Sequence, residues 1–269
     1  DLFLTPTALQ CDVVLPATTW LERDDAVRPP VGNFWMFSNR AADPPAGARD
    51  DFAIFADLSR RMGLGDAYDQ GKSAGEWLRE LVAGTPVPDY DELRRVGIYI
   101  PPDPPRVAHS DFLADPAGHP LPTPSGKVEL SSAAFAAAGG EATPGYRPAP
   151  ADPRFPLRLV TPKSRYRTHS QWHTLPWLQE REPAALWIHP EDAAARCIAD
   201  GEMVRVESAR GAVLAPARVT DEIMAGVVCL LEGRWPAPGP GGADAGACAN
   251  TLTSTEPTLP SQGVVMHGI

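Results

Sequence analysis

Long apolar runs are missing from these 269 residues. No stretch approaches the roughly 18 residues that a membrane-spanning helix needs. Long runs of Lys and Arg are missing too. The 24 basic residues face 34 acidic ones, for a net charge of −10, which disfavours nucleic acid and anionic membrane surfaces as main partners. Cysteine is scarce: Cys11, Cys197, Cys229 and Cys248 lie far apart, and none forms a C-x-x-C pair. That spacing argues against a zinc or iron–sulfur site within the chain and against a disulfide framework. It predicts free, mostly buried thiols. No internal repeat is evident, and His109 and His119 have no metal-ligand partners at useful spacing.

What is present is enough apolar material, 43% of residues, for a sizeable core in one large domain or two ordinary ones. Proline is plentiful, and its clusters mark the joints. The chain opens D-L-F-L-T without Met and closes G-V-V-M-H-G-I like an interrupted strand. Both ends suggest an internal or C-terminal piece of something longer.

In chain order, Leu2 to Leu4 and Asp12 to Leu15 read as short strands, the second nearly continuous and suited to a buried parallel sheet. The loop after Pro16 carries Glu22, Arg23, Asp24 and Asp25, either at a binding edge or as plain surface. Asp50 and Asp51 predict an N-cap for a helix to about Met62, with Phe52, Phe55, Leu58 and Met62 as its inner stripe and Gly63 as its stop. Ser73 with Glu76 predicts a capping box for a second helix, buried through Trp77, Leu78, Leu81 and Val82. Residues 85 to 122 are Pro-rich and weakly patterned. T-P-S-G-K-V-E-L at 123–130 reads as a turn into a short strand, and residues 136 to 156 as a linker.

Beyond it the chain reads as β-rich. Leu157 to Val160, Ala185 to Ile188, Met203 to Glu207, Ala212 to Val219 and Val227 to Leu231 are predicted strands. His189-Pro190 opens a short helix, and Ala209-Arg210-Gly211 is a hairpin turn. Short strands with tight turns predict a small barrel. The Gly/Pro/Ala-rich segment 236–249 is expected to be mobile without a ligand.

The first of these strands breaks at Thr161-Pro162 into Lys163, Ser164, Arg165, Tyr166, Arg167, Thr168, His169, Ser170, Gln171, Trp172 and His173. This cationic, aromatic-flanked stretch is a local exception in an acidic chain. Arg forks and Lys favour phosphate oxygens, so the stretch reads either as a site for a phosphate or pyrophosphate or as a solvated basic loop with tucked-in tryptophans.

Four segments, in order and together spanning nearly the whole chain, resemble the C-terminal part of the molybdopterin oxidoreductases of the dimethyl sulfoxide reductase family. They are T-P-T-A-L-Q-C-D-V-V-L-P-A-T-T-W-L-E-R-D-D with A-R-D-D-F-A-I-F-A-D-L; T-P-S-G-K-V-E-L; R-T-H-S-Q-W through R-E-P-A-A-L-W-I-H-P-E-D-A-A-A-R; and D-G-E-M-V-R-V-E-S-A-R-G with A-G-V-V and N-T-L-T. The resemblance implies an α/β segment, part of a parallel-sheet domain with a Pro-rich linker over 1–150. An all-β, double-psi-like barrel that binds molybdopterin dinucleotide follows over 151–269.

It also implies bis(molybdopterin guanine dinucleotide) with molybdenum as cofactor. The contacts would be Lys163, Arg165, Thr168, His169, Ser170, Gln171 and Trp172, then Asn250 and Gln262, whose amides can donate and accept. The other reading of His169 is a buried histidine satisfied by a carbonyl; His189 reads as a helix cap. The molybdenum ligand, and an iron–sulfur cluster where members have one, belong upstream of this segment, so no residue here is assigned as catalytic.

The implied activity is two-electron oxygen-atom transfer on a small S- or N-oxide, a branch toward which E-R-D-D leans, with an electron-transfer subunit as a possible partner. The alternatives are a non-catalytic molybdopterin-binding module and a protein-interaction module. One departure from the pattern is Cys197, in A-R-C-I-A-D-G, where relatives usually carry Gly. A positive φ there would cost about 1 kcal/mol.

Overall fold

The computed structural model describes residues 1–103, 107–143, 145 and 152–257. The chain divides into two compact units, Asp1–Ser110 and Asp111–Ile269.

In the first unit, β1 (Asp25–Val27), β2 (Trp35–Ser38) and β3 (Ile98–Tyr99) form an antiparallel sheet in that order. Three helices accompany it. The first, α1 (Asp51–Arg61), is capped by Asp50, whose carboxylate accepts from the Phe52 N–H, and Gly63 follows it at φ 76°. The second, α2 (Ala74–Ala83), carries the Ser73/Glu76 capping box. The third, α3 (Tyr90–Val96), is capped by Asp89 and ends at Gly97 with φ 85°. Phe37, Val82, Val87 and Leu93 make the core, with Leu78, Tyr90 and Tyr99 against it. Full burial of side chains such as Val82 and Leu93 contributes about 1.5–3 kcal/mol each.

Several expectations are corrected here. Leu2–Leu4 and Asp12–Leu15 join no ladder among the described residues; one parallel bridge, Ala17 with Arg49, is formed nearby. Val13 is 74% exposed, because a continuous apolar run is buried only where neighbouring strands flank it. The buried face of α1 is Ala56 and Ser59, whereas Phe55, Leu58 and Met62 are exposed, as is Leu81 of α2. Helix α3 lies inside the stretch read as weakly patterned. The acidic loop is tied into the unit: Glu22 caps Thr19, Arg23 pairs with Asp25 at 3.3 Å and Asp50 at 3.6 Å, and Asp24 pairs with Arg94 at 2.8 Å.

After the one-turn helices α4 (Ser110–Ala114) and α5 (Ala133–Ala137), the second unit is dominated by a five-stranded sheet. Its strands are β4 (Arg158–Val160), β5 (Leu186–Ile188), β6 (Met203–Glu207), β7 (Ala212–Val219) and β8 (Val227–Cys229). The spatial order is β4-β8-β5-β7-β6. β4 pairs with β8 and β5 with β7 in parallel, while β5–β8 and β6–β7 are antiparallel. Helices α6 (Pro176–Arg181) and α7 (Pro190–Ala194) lie between β4 and β5 and between β5 and β6 in sequence. His189 caps α7 by accepting from the Glu191 N–H, and Ser208 and Gly211 close the predicted hairpin. The turn at 124–127 forms, but no strand follows it, and Val128 and Leu130 are exposed.

Alternation along β7 buries Val213, Ala215 and Ala217 against Leu186, Ile188, Val228, Leu230 and Leu252. Segment 236–249, expected to be mobile, is packed: Ala243, Ala247 and Cys248 are buried. The Asp244 carboxylate accepts the N–H groups of Ala237, Gly246 and Cys248 at 2.7–2.8 Å. A ladder is not needed where one carboxylate satisfies three backbone donors. A cleft of about 900 Å³ opens beside the two edge strands, walled by Leu157, Leu159, Val204, Val206 and Val228. Those side chains are the inner face of the curled sheet, so the cleft is the open end of its core.

Candidate functional site

The segment that follows β4 is fixed by what lies beneath it. Ser164 is buried; its hydroxyl accepts from the Tyr166 and Arg167 N–H groups at 3.0 and 3.1 Å and donates to Glu182 at 2.7 Å. This reverses the chain and drives Arg167 inward. The Arg167 side chain is 0% exposed and pairs with Glu182 at 2.5 Å. Its other terminal nitrogen donates to the Leu178 carbonyl and to Gln179. A guanidinium leaves water only when its partners are this close. Arg234 reaches the same group from beyond β8, donating to Gln179 at 3.0 Å and to the Glu182 carbonyl. Burial lowers the Arg234 pKa, as does the Arg167 charge, while Glu182 raises it.

Two aromatic contacts complete the anchor. His173 stacks on Trp235 with ring centroids 5.0 Å apart and 14° between planes. The Trp235 indole N–H donates to the Ser170 carbonyl at 2.8 Å. Gly233, at φ 92°, lies so close that a Cβ there would sit 2.0 Å from the His169 carbonyl oxygen. His169 and Trp172 themselves have φ of 52° and 60°. Such conformations cost non-glycine residues about 1–3 kcal/mol and gather at ligand clamps.

The cationic stretch therefore splits. Arg167 is a buried strut, which the sequence did not distinguish from its neighbours. Lys163, Arg165, Thr168, His169, Ser170, Gln171 and Trp172 are all exposed, so a buried His169 is ruled out. Lys163 and His169, 71% and 66% exposed, converge on Glu232, with nitrogens 3.7 and 3.5 Å from its Oε1. That oxygen is buried and has no hydrogen-bond partner among the described residues. Asn250 is exposed in the 3-10 turn Ala249–Thr251, outside this network, and Gln262 lies outside the described residues. None of the eight described candidates lines the 900 Å³ cleft, which is walled by apolar side chains together with Arg154, Arg158, Arg196, Arg205 and Arg210.

His109 and His119 are exposed, and all four thiols are free, two exposed and two buried rather than mostly buried. Among the described residues no group of three His, Cys, Asp or Glu converges as a metal site, and no helix is long and apolar enough to cross a membrane. What the segment offers is Lys163, Arg165 and His169 as outward donors, a deep carboxylate, and a rigid base. That donor set fits a ligand carrying phosphates beside a polar ring system.

Comparison with known proteins places this segment in context. Residues 157–268 match the molydopterin dinucleotide binding domain family and residues 1–61 the molybdopterin oxidoreductase family. Dimethyl sulfoxide reductase DmsA of Haemophilus influenzae is 31% identical over 99% of this chain and 36% of its own length. Trimethylamine-N-oxide reductase of the same organism is 36% identical, covering 94% and 35%. Biotin sulfoxide reductase of Cereibacter sphaeroides is 35% identical, covering 87% and 34%. Acetylene hydratase from Pelobacter acetylenicus superposes with a TM-score of 0.71 at 26% identity, over 94% of this chain and 36% of that one. The chain thus spans about a third of the length of these proteins.

Proposed function

The chain belongs to the molybdopterin oxidoreductases of the dimethyl sulfoxide reductase family, and from that premise we propose that it is the cofactor-closing C-terminal part of an S- or N-oxide reductase. The cofactor would be bis(molybdopterin guanine dinucleotide) with molybdenum, held by the domain taken as residues 151–269. The observation that carries this reading is the outward set Lys163, Arg165 and His169 on a base locked by Arg167 and Glu182, inside the matched residues 157–268.

When bound, the cofactor supplies two-electron oxygen-atom transfer. This chain's residues supply position and charge. Lys163 and Arg165 neutralise pyrophosphate oxygens, Arg bidentately. The His169 ring and the hydroxyls of Thr168 and Ser170 donate to the remaining acceptors, and Gln171 and Asn250 meet polar ring edges, as Gln262 does in this reading. Trp172 and Trp177, both about half exposed, shield the ring system from water. The fold alone does not choose the reaction, since a neighbour in structure is named a hydratase. The substrate class rests on the three reductases named above. An electron-transfer subunit, and an iron–sulfur cluster in a further part of the enzyme, belong to the same proposal.

The test is cofactor content. In the complete enzyme, Lys163→Ala with Arg165→Ala should lower molybdenum and releasable GMP per protein at least tenfold, each charge-assisted contact being worth about 1.5–3 kcal/mol. Unchanged content would falsify the contact set.

A further inference from the structure

Glu232 is an anomaly in a segment that otherwise presents cations. Its N–H donates to the Pro162 carbonyl at 3.1 Å, which fixes the backbone directly beside the segment after β4. Gly233 then brings the chain against the His169 carbonyl. The carboxylate is thereby held between Lys163 and His169, with nitrogens 3.7 and 3.5 Å from an oxygen that neither hydrogen-bonds. A buried carboxylate oxygen without a donor is an unmet demand for N–H groups. Lys163 and His169 beside it are mostly in solvent and free to turn toward phosphate. What is missing is a donor that enters alongside an anion.

We propose that Glu232 takes the amino-pyrimidinone edge of the cofactor, the adjacent ring N–H and exocyclic NH2 that a pterin and a guanine share, while Lys163 and His169 turn to the phosphates. This rests on the reading of the chain as a molybdopterin dinucleotide-binding portion. Two parallel N–H donors match the two oxygens of a carboxylate, as a guanidinium does. A phosphate offers no such donors and is repelled by Glu232. The carboxylate therefore selects for a ligand that brings donors and negative charge together, and against free phosphate or pyrophosphate. No electron or bond is exchanged at this residue; its part is recognition and orientation.

The experiment uses the complete enzyme with Glu232→Gln. The wild type is first assayed for molybdenum and releasable GMP; absence of both removes the family-level reading itself. With a loaded wild type, Glu232→Gln is expected to retain at least tenfold less of both after dialysis, with its melting temperature unchanged. Glu232→Asp, which keeps the charge one methylene shorter, should lie between them, and serves if the Gln variant fails to fold.

Equilibrium dialysis of cofactor-depleted protein against GDP and against neopterin separates the two sources. The ligand whose binding the Gln variant loses identifies the ring that Glu232 meets. If Glu232 were only a counter-ion for Lys163 and His169, the Gln variant would hold as much cofactor as the wild type or more, and would bind inorganic pyrophosphate more tightly. That result overturns the proposal while leaving the family reading standing.

Discussion

Arg167 and Glu182 meet at 2.5 Å with the guanidinium wholly out of water, so the most basic-looking part of the chain is held in place by a cation that no ligand can reach. Breaking the pair from one side strands the carboxylate. Arg167→Met is expected to cost about 3–5 kcal/mol and to lower the melting temperature by roughly 10 °C. Arg167→Lys should recover little, because an ammonium cannot reach Glu182, Leu178 and Gln179 together. Arg167→Met with Glu182→Leu should be nearer the wild type than Arg167→Met alone. Thermal unfolding of these variants and of Glu182→Leu alone decides this, and additive losses in the double variant would count against a coupled pair.

Cys197 follows α7 at φ 54° and is exposed. The left-handed backbone expected from its place after a helix is therefore present. Cys197→Gly should raise stability by about 1 kcal/mol, seen as a melting temperature higher by roughly 2–4 °C. A lower melting temperature would show that lost chain entropy outweighs the relieved strain.

His173 gives an acid-sensitive element. Burial lowers its pKa, and the nearby charges of Arg167 and Arg234 lower it further. The folded state thus prefers the neutral ring. Above about pH 6.5 the ring is neutral in both states; as pH falls through that value the unfolded chain takes up the proton first, and stability declines until the folded ring protonates too. His173→Phe keeps the stack on Trp235 and should flatten this decline. Melting curves from roughly pH 7 to 5 test it, and parallel profiles for both proteins would refute it.

The thiols divide by burial. Burial pushes Cys229 up to about 11 and raises Cys248 as well, so neither presents a thiolate near neutrality. At pH 8 a thiol reagent is expected to modify Cys11 and Cys197 quickly and the other two only on unfolding. Fast reaction at all four in the native protein would contradict the packing of β8 and of the 236–249 segment.

The strands of the second unit were legible because each carries its own signal: alternation in Met203–Glu207 and Ala212–Val219, a β-branched run at Val227, a Pro after His189. The caps at Asp50 and Ser73 were legible for the same reason. Helix α3 had an Asp cap, acids first, arginines last and a closing Gly, signals that the surrounding prolines obscured. Long-range facts were not legible. Nothing near Arg167 announces that Glu182 and Arg234 will close over it, and Glu232 looks like any surface acid until β8 sets it beside Lys163 and His169. Val13 and Phe55 look like core and are exposed, because burial depends on what arrives to cover them. Asp244 gives no local hint that it organises the Gly/Pro/Ala-rich stretch around it.

The parallel pairing of β4 with β8 has a consequence in time. Arg158 finds its ladder partner in Val227, and at about 5–20 residues per second a ribosome takes roughly 3–14 seconds to travel between them. Through that interval the part of the chain bearing Lys163, Arg165 and His169 can close only its local anchor, Arg167 on Glu182. Glu232, Gly233 and Trp235 come later still. Any large ligand gripped here must be loaded after translation of the sheet, and a nascent chain halted before Val227 has no platform on which to receive it.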